Sequence, residues 1–384
     1  MNLKIAIVGA GISGLTAGLS LRSFGFDVDI YERGENISEF GAGITLSRNA
    51  TSLLREIDIF DKLANKSKLP GVSHVRNYSN SKVIATTKLT GMLAADRRDI
   101  VSILSKSFID IGGRIHLSSE IDKVCPKEGK IFTLDGEESR ADLILACDGI
   151  KSSLRENYFD GSRPRFTNYI AWRGILDHKD LPDFEGNKNI NVYYGPGGHA
   201  VHYPIGDDGK INFVGIQTAE NWEEESWKIP GDKTTFLEAF KAWDKNLIKT
   251  FESSKEIYKW GVFDRKQPKN LINHRLVLLG DAAHPMVPFL GQGGCMAIED
   301  AFTLALLLKK NPEDLSLALS VYEELRLKRT NLIQRLSTLQ GRFNHVSNPL
   351  LVLIRNLITK GFISKSIEQI HSYNSRLEVE NKIN

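Results

Sequence analysis

Residues 280–301 read GDAAHPMVPFLGQGGCMAIEDA, directly after the apolar run Leu276–Leu279. The run has the length and composition of a buried strand. Gly280-Asp281 then places a carboxylate just past a strand end, and a loop broken by Pro and Gly follows, from His284 to Gly294. Apolar residues at helical spacing predict a helix from about Met296 to Leu308. A strand, a glycine-rich loop and a helix N-terminus together make a site for phosphate or an anionic ring edge. Free backbone N–H groups and the positive end of the helix dipole both face it. The loop is too rich in Gly and Pro for a plain strand-to-helix linker.

The start of the chain repeats this logic. Lys4–Val8 is a short apolar strand, followed by Gly9-Ala-Gly11-Ile-Ser-Gly14 and the helical pattern Leu15, Leu19, Leu21, Phe24. The next strand, Asp27–Tyr31, ends in Glu32, eighteen residues past Gly14. The glycines permit a tight turn and close backbone approach to a pyrophosphate, and the acid suits ribose hydroxyls. This reads as a Rossmann-type nucleotide site, without separating NAD from FAD. Gly41-Ala-Gly43-Ile44 is a second glycine-rich turn.

Arg97 and Arg98 precede the helical spacing of Asp99–Phe108. Cations at a helix N-terminus oppose the dipole, which favours an anionic partner for at least one of them. Lys130–Asp135 and Ala141–Ala146 read as strands joined through the turn Asp135-Gly136. The second ends in Cys147-Asp148-Gly149, another strand-end carboxylate, and Ser152-Ser153-Leu-Arg155 opens a helix.

GAGISG with Glu32, ACDGIKSSLR and GDAAHPMVPFLGQGG, in this order, resemble the three fingerprints of the FAD-dependent aromatic monooxygenases. The chain is most similar to their salicylate hydroxylase and 3-hydroxybenzoate 6-hydroxylase branch, over nearly its whole length. The resemblance implies that Gly9, Gly11, Ser13 and Gly14 hold the FAD pyrophosphate, with Glu32 and Arg33 at the adenosine ribose. It implies Arg97 at the phosphate or ribityl region and Val124 at the adenine through its backbone. Asp281 would bond the ribityl chain, and Gly293 and Gly294 would lie at the isoalloxazine edge. Asp148 and Arg155 belong to the motif shared between FAD and the pyridine nucleotide. Two residues depart from the family pattern: Arg48, where Pro is commoner, and Cys147, where a small residue is usual. The implied activity is NAD(P)H-dependent hydroxylation of an aromatic, phenolic or heteroaromatic, small molecule by O2 through a C4a-hydroperoxyflavin. The pyridine nucleotide has no second fingerprint, so its docking is expected to be transient. An FAD-dependent reductase or oxidase of a non-aromatic substrate, and a non-catalytic FAD-binding redox module, stay open.

Between residues 160 and 275 the pattern changes. Asn168–Leu176, Asn191–Tyr194, Ala200–Tyr203 and Lys210–Gln217 read as strands without intervening helices, the last two joined across Gly206-Asp-Asp-Gly209. An antiparallel sheet laid over the flavin site is the natural architecture. Thr235–Phe251 carries Phe236, Phe240, Trp243, Leu247 and Phe251, the spacing of one amphipathic helix facing core. Trp227-Lys-Ile-Pro230 is similar to part of the flavin halogenase WxWxIP motif, but the first Trp is missing. His199 and His202, three apart on a strand, face opposite sides, so a metal site is not expected. His199 and Tyr203 share a face. In the branch that this chain resembles, such a pair lines the substrate cavity, making His199 the candidate for phenol deprotonation and Tyr203 for orienting the ring. Arg173 is a candidate partner for a carboxylate or the nicotinamide nucleotide.

The expected fold is α/β. Residues 1–160, completed by 276–310, form the FAD-binding domain; 161–275 form an inserted antiparallel β-sheet substrate domain; 311–384 form a C-terminal helical segment. A net charge of +3 gives no argument for nucleic acid. Three scattered cysteines, Cys125, Cys147 and Cys295, suggest a reducing, cytoplasmic setting and no zinc site. The most membrane-like later segment, Pro349–Ile363, is broken by Arg355 and Lys360, so no transmembrane span is expected. A monomer or a homodimer fits equally.

Overall fold

The structure is a computed structural model of the 384-residue chain and describes residues 3–37, 43–180, 188–206, 209–222 and 229–383. Lys4–Val8 lies at the middle of a six-stranded sheet. Asp27–Tyr31 and Leu143–Ala146 flank it in parallel, and Arg114–His116 and Leu276–Leu278 extend the parallel pairing outward. Ile272–Asn273 adds one antiparallel edge strand. The central strands are near-continuous apolar runs because helices cover both faces of such a sheet. The nucleotide helix, Ile12–Ser23, and the central helix, Gly293–Lys310, pack against each other here, and nearly all of their length is buried.

An eight-stranded sheet forms the second layer, in the order Ile229–Pro230, Ile257–Asp264, Arg165–Asp177, Lys210–Thr218, Gly198–Ile205, Ile190–Gly195, Val72–Asn77, Val83–Lys88. All its pairs are antiparallel except Ile190–Gly195 with Val72–Asn77. Its last two strands come from residues 72–88, so the sheet is not confined to 161–275 but interleaves with the nucleotide-binding stretch. Residues alternate between its faces with period two. Trp172, Tyr193 and Phe213 join an aromatic core with Phe236, Phe240, Trp243 and Phe251. Arg173, Tyr194, His199, Tyr203 and Val214 point the other way, into a cavity.

Three expectations change. The segment expected as one helix over Thr235–Phe251 is two, Lys233–Phe240 and Lys245–Glu252. Asp244 breaks it, its carboxylate accepting from the N–H groups of Asn246 and Leu247 as an N-cap. Asp135-Gly136 turns Lys130–Thr133 into a hairpin with Glu138–Arg140, while Leu143–Ala146, buried throughout, belongs to the six-stranded sheet. The central helix starts at Gly293, earlier than Met296.

Gly41, Ala42, Asp207, Asp208, Trp227 and Lys228 lie outside the described residues. Leu315–Asn344, the long helix, and Pro349–His371, the outer helix, close the molecule with Ser375–Ile383. No helix of the described residues is long and apolar enough to cross a membrane.

Candidate active site

One continuous cavity of about 1240 Å³ runs from the glycine turns of the six-stranded sheet to the inner face of the eight-stranded sheet. That exceeds what a single drug-sized ligand fills. At its nucleotide end the lining includes Gly9, Gly11, Ser13, Glu32, Arg33, Arg97, Asp148, Asp281, Gly293 and Gly294.

Local structure explains why these residues converge. The turn at Gly9–Gly14 is so tight that a Cβ on Gly14 would stand 1.9 Å from the Gly9 carbonyl oxygen. Glu32 accepts from the N–H groups of Ala10 at 2.8 Å and Gly34 at 2.9 Å, one on each carboxylate oxygen. An ionised carboxylate has about four lone-pair sites, so acceptor capacity remains toward the cavity. Arg98 pairs with Asp96, the N-cap of the helix Arg97–Asp110, at 2.6 Å, whereas Arg97 lines the cavity.

The Asp281 turn is clamped from both sides. Asp300 Oδ2 accepts from Gly280 N–H at 2.8 Å and contacts His284 Nε2 at 2.5 Å, while Arg326 Nε donates to Oδ1 at 2.6 Å. Arg155, fully buried, donates to the carbonyls of Ala282 and Ala283 and pairs with Asp160. The guanidinium of Arg155 therefore holds the loop and does not line the cavity, contrary to a direct role with a nucleotide. Gly280 has φ +59°, and a Cβ there would meet Ser13 Oγ at 2.7 Å.

Val124 also departs from its expected place. Its N–H donates to Tyr158 Oη at 3.1 Å, and Ser119, Glu120 and Ile121 line this part of the cavity instead. Of the two departures from the family pattern, Arg48 pairs with Glu368 of the outer helix. Cys147 accepts from Ser13 Oγ at 3.6 Å, and burial pushes its thiol up to about 12.

Two observations fit a bound FAD. A Cβ on Gly293 would meet no described atom within 4 Å beyond its chain neighbours and its own helix backbone, so packing against the rest of the chain does not explain this glycine at the start of the central helix. A flat ring laid on the helix N-terminus would, and no side chain of the described residues caps that end. Asp148 is half-buried, but its Oδ1 is shielded from solvent with no hydrogen-bond partner among the described residues, and burial raises its pKa. A buried acceptor of this kind calls for a ligand donor.

At the sheet end His199, 3% exposed, stands with its Nδ1 2.7 Å from Nε2 of His345, which follows the long helix. Phe289 packs edge-on against His199, and Tyr169 against both Phe289 and His345. Burial, with His345 adding, lowers the His199 pKa well below its usual value, and burial brings His345 to about 4. Tyr203 is pushed up to about 12 by burial, against the opposing effect of Arg173. Burial lowers Arg173 to about 10, and its guanidinium lies 4.9 Å from the centre of the Trp260 ring. His202 faces the aromatic core, 3.2 Å from Tyr193 Oη. His345 and Tyr194 carry no sequence signal for this site, though the register of Tyr194 opposite His199 could have suggested it; Phe289 lies inside the stretch 280–294, which marked the flavin and not the ring site.

The description "FAD binding domain" matches residues 2–333. A 3-amino-4-hydroxybenzoate 2-monooxygenase of Streptomyces platensis is 31% identical over 353 residues, covering 89% of each chain. A 3-hydroxybenzoate 6-hydroxylase of Klebsiella oxytoca is 29% identical, covering 94% of this chain and 93% of the relative. A salicylate hydroxylase solved with its substrate superimposes with a TM-score of 0.86 at 22% identity, over 98% of this chain and 97% of the other. With a helix N-terminus whose first glycine packing leaves open and a likeness to these enzymes over about nine-tenths of its length, the chain belongs to the FAD-binding-domain family and is a flavoprotein monooxygenase.

Proposed function

We propose that the protein hydroxylates an electron-rich aromatic small molecule, a phenol or hydroxyheterocycle, using NADH or NADPH and O2. The observation that carries this reading is the continuity of one cavity from the glycine turns to the His199–His345 pair. The similar hydroxybenzoate monooxygenases act on rings of this kind. Bound FAD, reduced by the pyridine nucleotide, supplies the oxygen-transferring chemistry.

The residues supply the rest. Gly9, Gly11 and Ser13 hold the pyrophosphate, while Gly14, behind the cavity wall, lets their turn close; Glu32 and Arg33 take the adenosine ribose, and Arg97 and Asp281 the phosphate-to-ribityl stretch. Asp148 takes a ligand hydroxyl, and the N–H groups of Gly293 and Gly294 meet the ring edge. His199 uses Nδ1 toward His345, leaving Nε2 for the substrate hydroxyl. Its lowered pKa keeps it neutral and able to accept at neutral pH. Such an imidazole is a weak base. It suffices because a phenol becomes far more acidic as its ring gives up electron density to the incoming oxygen. Tyr203, with its pKa raised, remains protonated and orients the ring by donating. The apolar wall of Val201, Val214, Ile216 and Phe289 excludes water.

The test is turnover of the holoenzyme with each pyridine nucleotide against hydroxybenzoates and hydroxypyridines under isotopically labelled O2. The expected result is ring-stimulated nucleotide oxidation and a product carrying one labelled oxygen. Nucleotide oxidation that no ring stimulates, or a product without label, overturns the reading.

A further inference from the structure

The long helix and the outer helix run antiparallel and are pinned at two points. Arg355 donates to the Asn344 carbonyl at 3.1 Å, and Arg329 donates to the Ile370 carbonyl at 2.9 Å. Fifteen residues separate these points on each helix, about 22 Å. Between the pins the outer helix packs on Val83–Lys88 and on the helix Arg48–Glu56. Ser364 bonds Thr87 at 3.0 Å, and Glu368 pairs with Arg48.

The long helix presents Leu332, Leu336, Leu339 and Phe343 toward this gap, at the i, i+4, i+7, i+11 spacing of one face. The outer helix presents Ile358, Phe362, Ile363 and Ile367. Both stripes line the cavity already described, yet they do not close on each other. Leu332 is 51%, Leu339 55%, Ile358 44% and Phe362 63% exposed. Large apolar side chains that line a cavity and remain this open mark a surface that something apolar covers.

The slot is continuous with the ring site. Gln340 of the long helix donates to Tyr194 Oη at 3.1 Å, and Phe343 packs edge-on against Tyr194. Tyr194 lies opposite His199 in the register of the sheet.

Resting on the proposed ring hydroxylation, we propose that the aromatic substrate carries an apolar substituent, an alkyl or comparable hydrocarbon chain. It leaves the ring site past Tyr194 and Phe343 and lies in the slot between the long and outer helices. The continuity of the slot with the ring site favours a chain joined to the ring over a separate ligand. The pinned ends make the slot a preformed site rather than a seam awaiting closure.

The test measures dissociation constants of 4-alkylphenols, from methyl to octyl, by flavin fluorescence of the holoenzyme. Affinity should rise about fourfold per methylene while the chain remains in the slot. Leu339→Glu and Phe362→Glu, at exposed positions that tolerate a charge, should flatten this slope with flavin content unchanged. Decanoate should compete with octylphenol, and octylphenol should itself be hydroxylated on the ring. Affinity independent of chain length, or a slope that survives both substitutions, overturns the proposal. So does decanoate binding alongside an octylphenol that is never hydroxylated, which would make the slot a site for a free amphiphile. The slope is read without turnover, so its failure is distinct from failure of the hydroxylation reading.

Discussion

At the nucleotide end the cavity is shaped by backbone turns: the turn at Gly9–Gly14, the Asp281 loop and the first turn of the central helix. At the sheet end it is side chains brought from far apart, His199 from a strand, His345 from beyond the long helix, Phe289 from the loop between them. Backbone geometry is written in a few contiguous residues, because only glycine permits the close approaches. A side-chain constellation is held by packing and register, so its members share no local pattern. The first end should therefore fail abruptly when a Cβ is added. The second should fail gradually, through chemistry, with the fold and the flavin retained.

The sharpest break is Gly14→Ala. Its Cβ would stand 1.9 Å from a backbone carbonyl oxygen, and the pyrophosphate turn would have to move. A cost of at least about 3 kcal/mol is expected, more than ~100-fold in FAD affinity, read from the flavin-to-protein ratio and the melting temperature. Normal flavin retention would contradict the backbone account.

At the other end His199→Ala should lower hydroxylation about 100-fold or more and raise peroxide release, with flavin content constant. Turnover and coupling equal to the unmodified enzyme between about pH 6 and pH 9 would remove His199 from the chemistry.

Asp281→Ala lies between these cases, a side chain displayed by a backbone turn. Loss of a charge-assisted hydrogen bond costs about 1.5–3 kcal/mol, a ~10- to 150-fold weaker FAD dissociation constant. An unchanged constant would leave the loop as scaffold only.

The same contrast decides what could be read in advance. Lys4–Glu32 and Leu276–Gly294 show strand, turn and helix in one contiguous stretch each, and the structure forms these elements there. Period-two alternation correctly put His199 and Tyr203 on one face. Periodicity also misled, since the apolar phase of Phe236 to Phe251 continues through the Asp244 cap and hides the break. Arg155 sits in a nucleotide motif, yet its guanidinium binds carbonyls 127 and 128 residues away. His345 was illegible because it meets His199 across 146 residues, at a helix end with no motif. The eight-stranded sheet takes Val72–Lys88 from inside the nucleotide-binding stretch for a similar reason: strand partners are chosen by packing, not by sequence order.

The smallest expected effect concerns acid, and it again separates the two ends. His199 and His202 lie on the eight-stranded sheet, His345 beyond the long helix and His371 at the end of the outer helix. Burial lowers all four: His202, with Arg76 adding, to about 3, His345 and His371 to about 4, and His199 well below its usual value. In the unfolded chain each would titrate near ~6.5. Below that pH the unfolded state binds protons that the folded state refuses. The stability these neutral imidazoles contribute is therefore present above about pH 6.5 and is lost progressively as pH falls through 4 toward 3. Each histidine contributes up to about 1.4 kcal/mol per pH unit within that window. The melting temperature, with FAD in excess, should fall from about pH 7 to about pH 5. Hydrogen exchange should rise first in Gly198–Ile205 and the outer helix, before the strands Lys4–Val8 and Leu143–Ala146. His202→Gln, on the face away from the cavity, removes one of the four protons and should shallow the slope by roughly a quarter. A melting temperature flat across this range, or exchange that rises first in the six-stranded sheet, would show that the substrate end is not the acid-sensitive half.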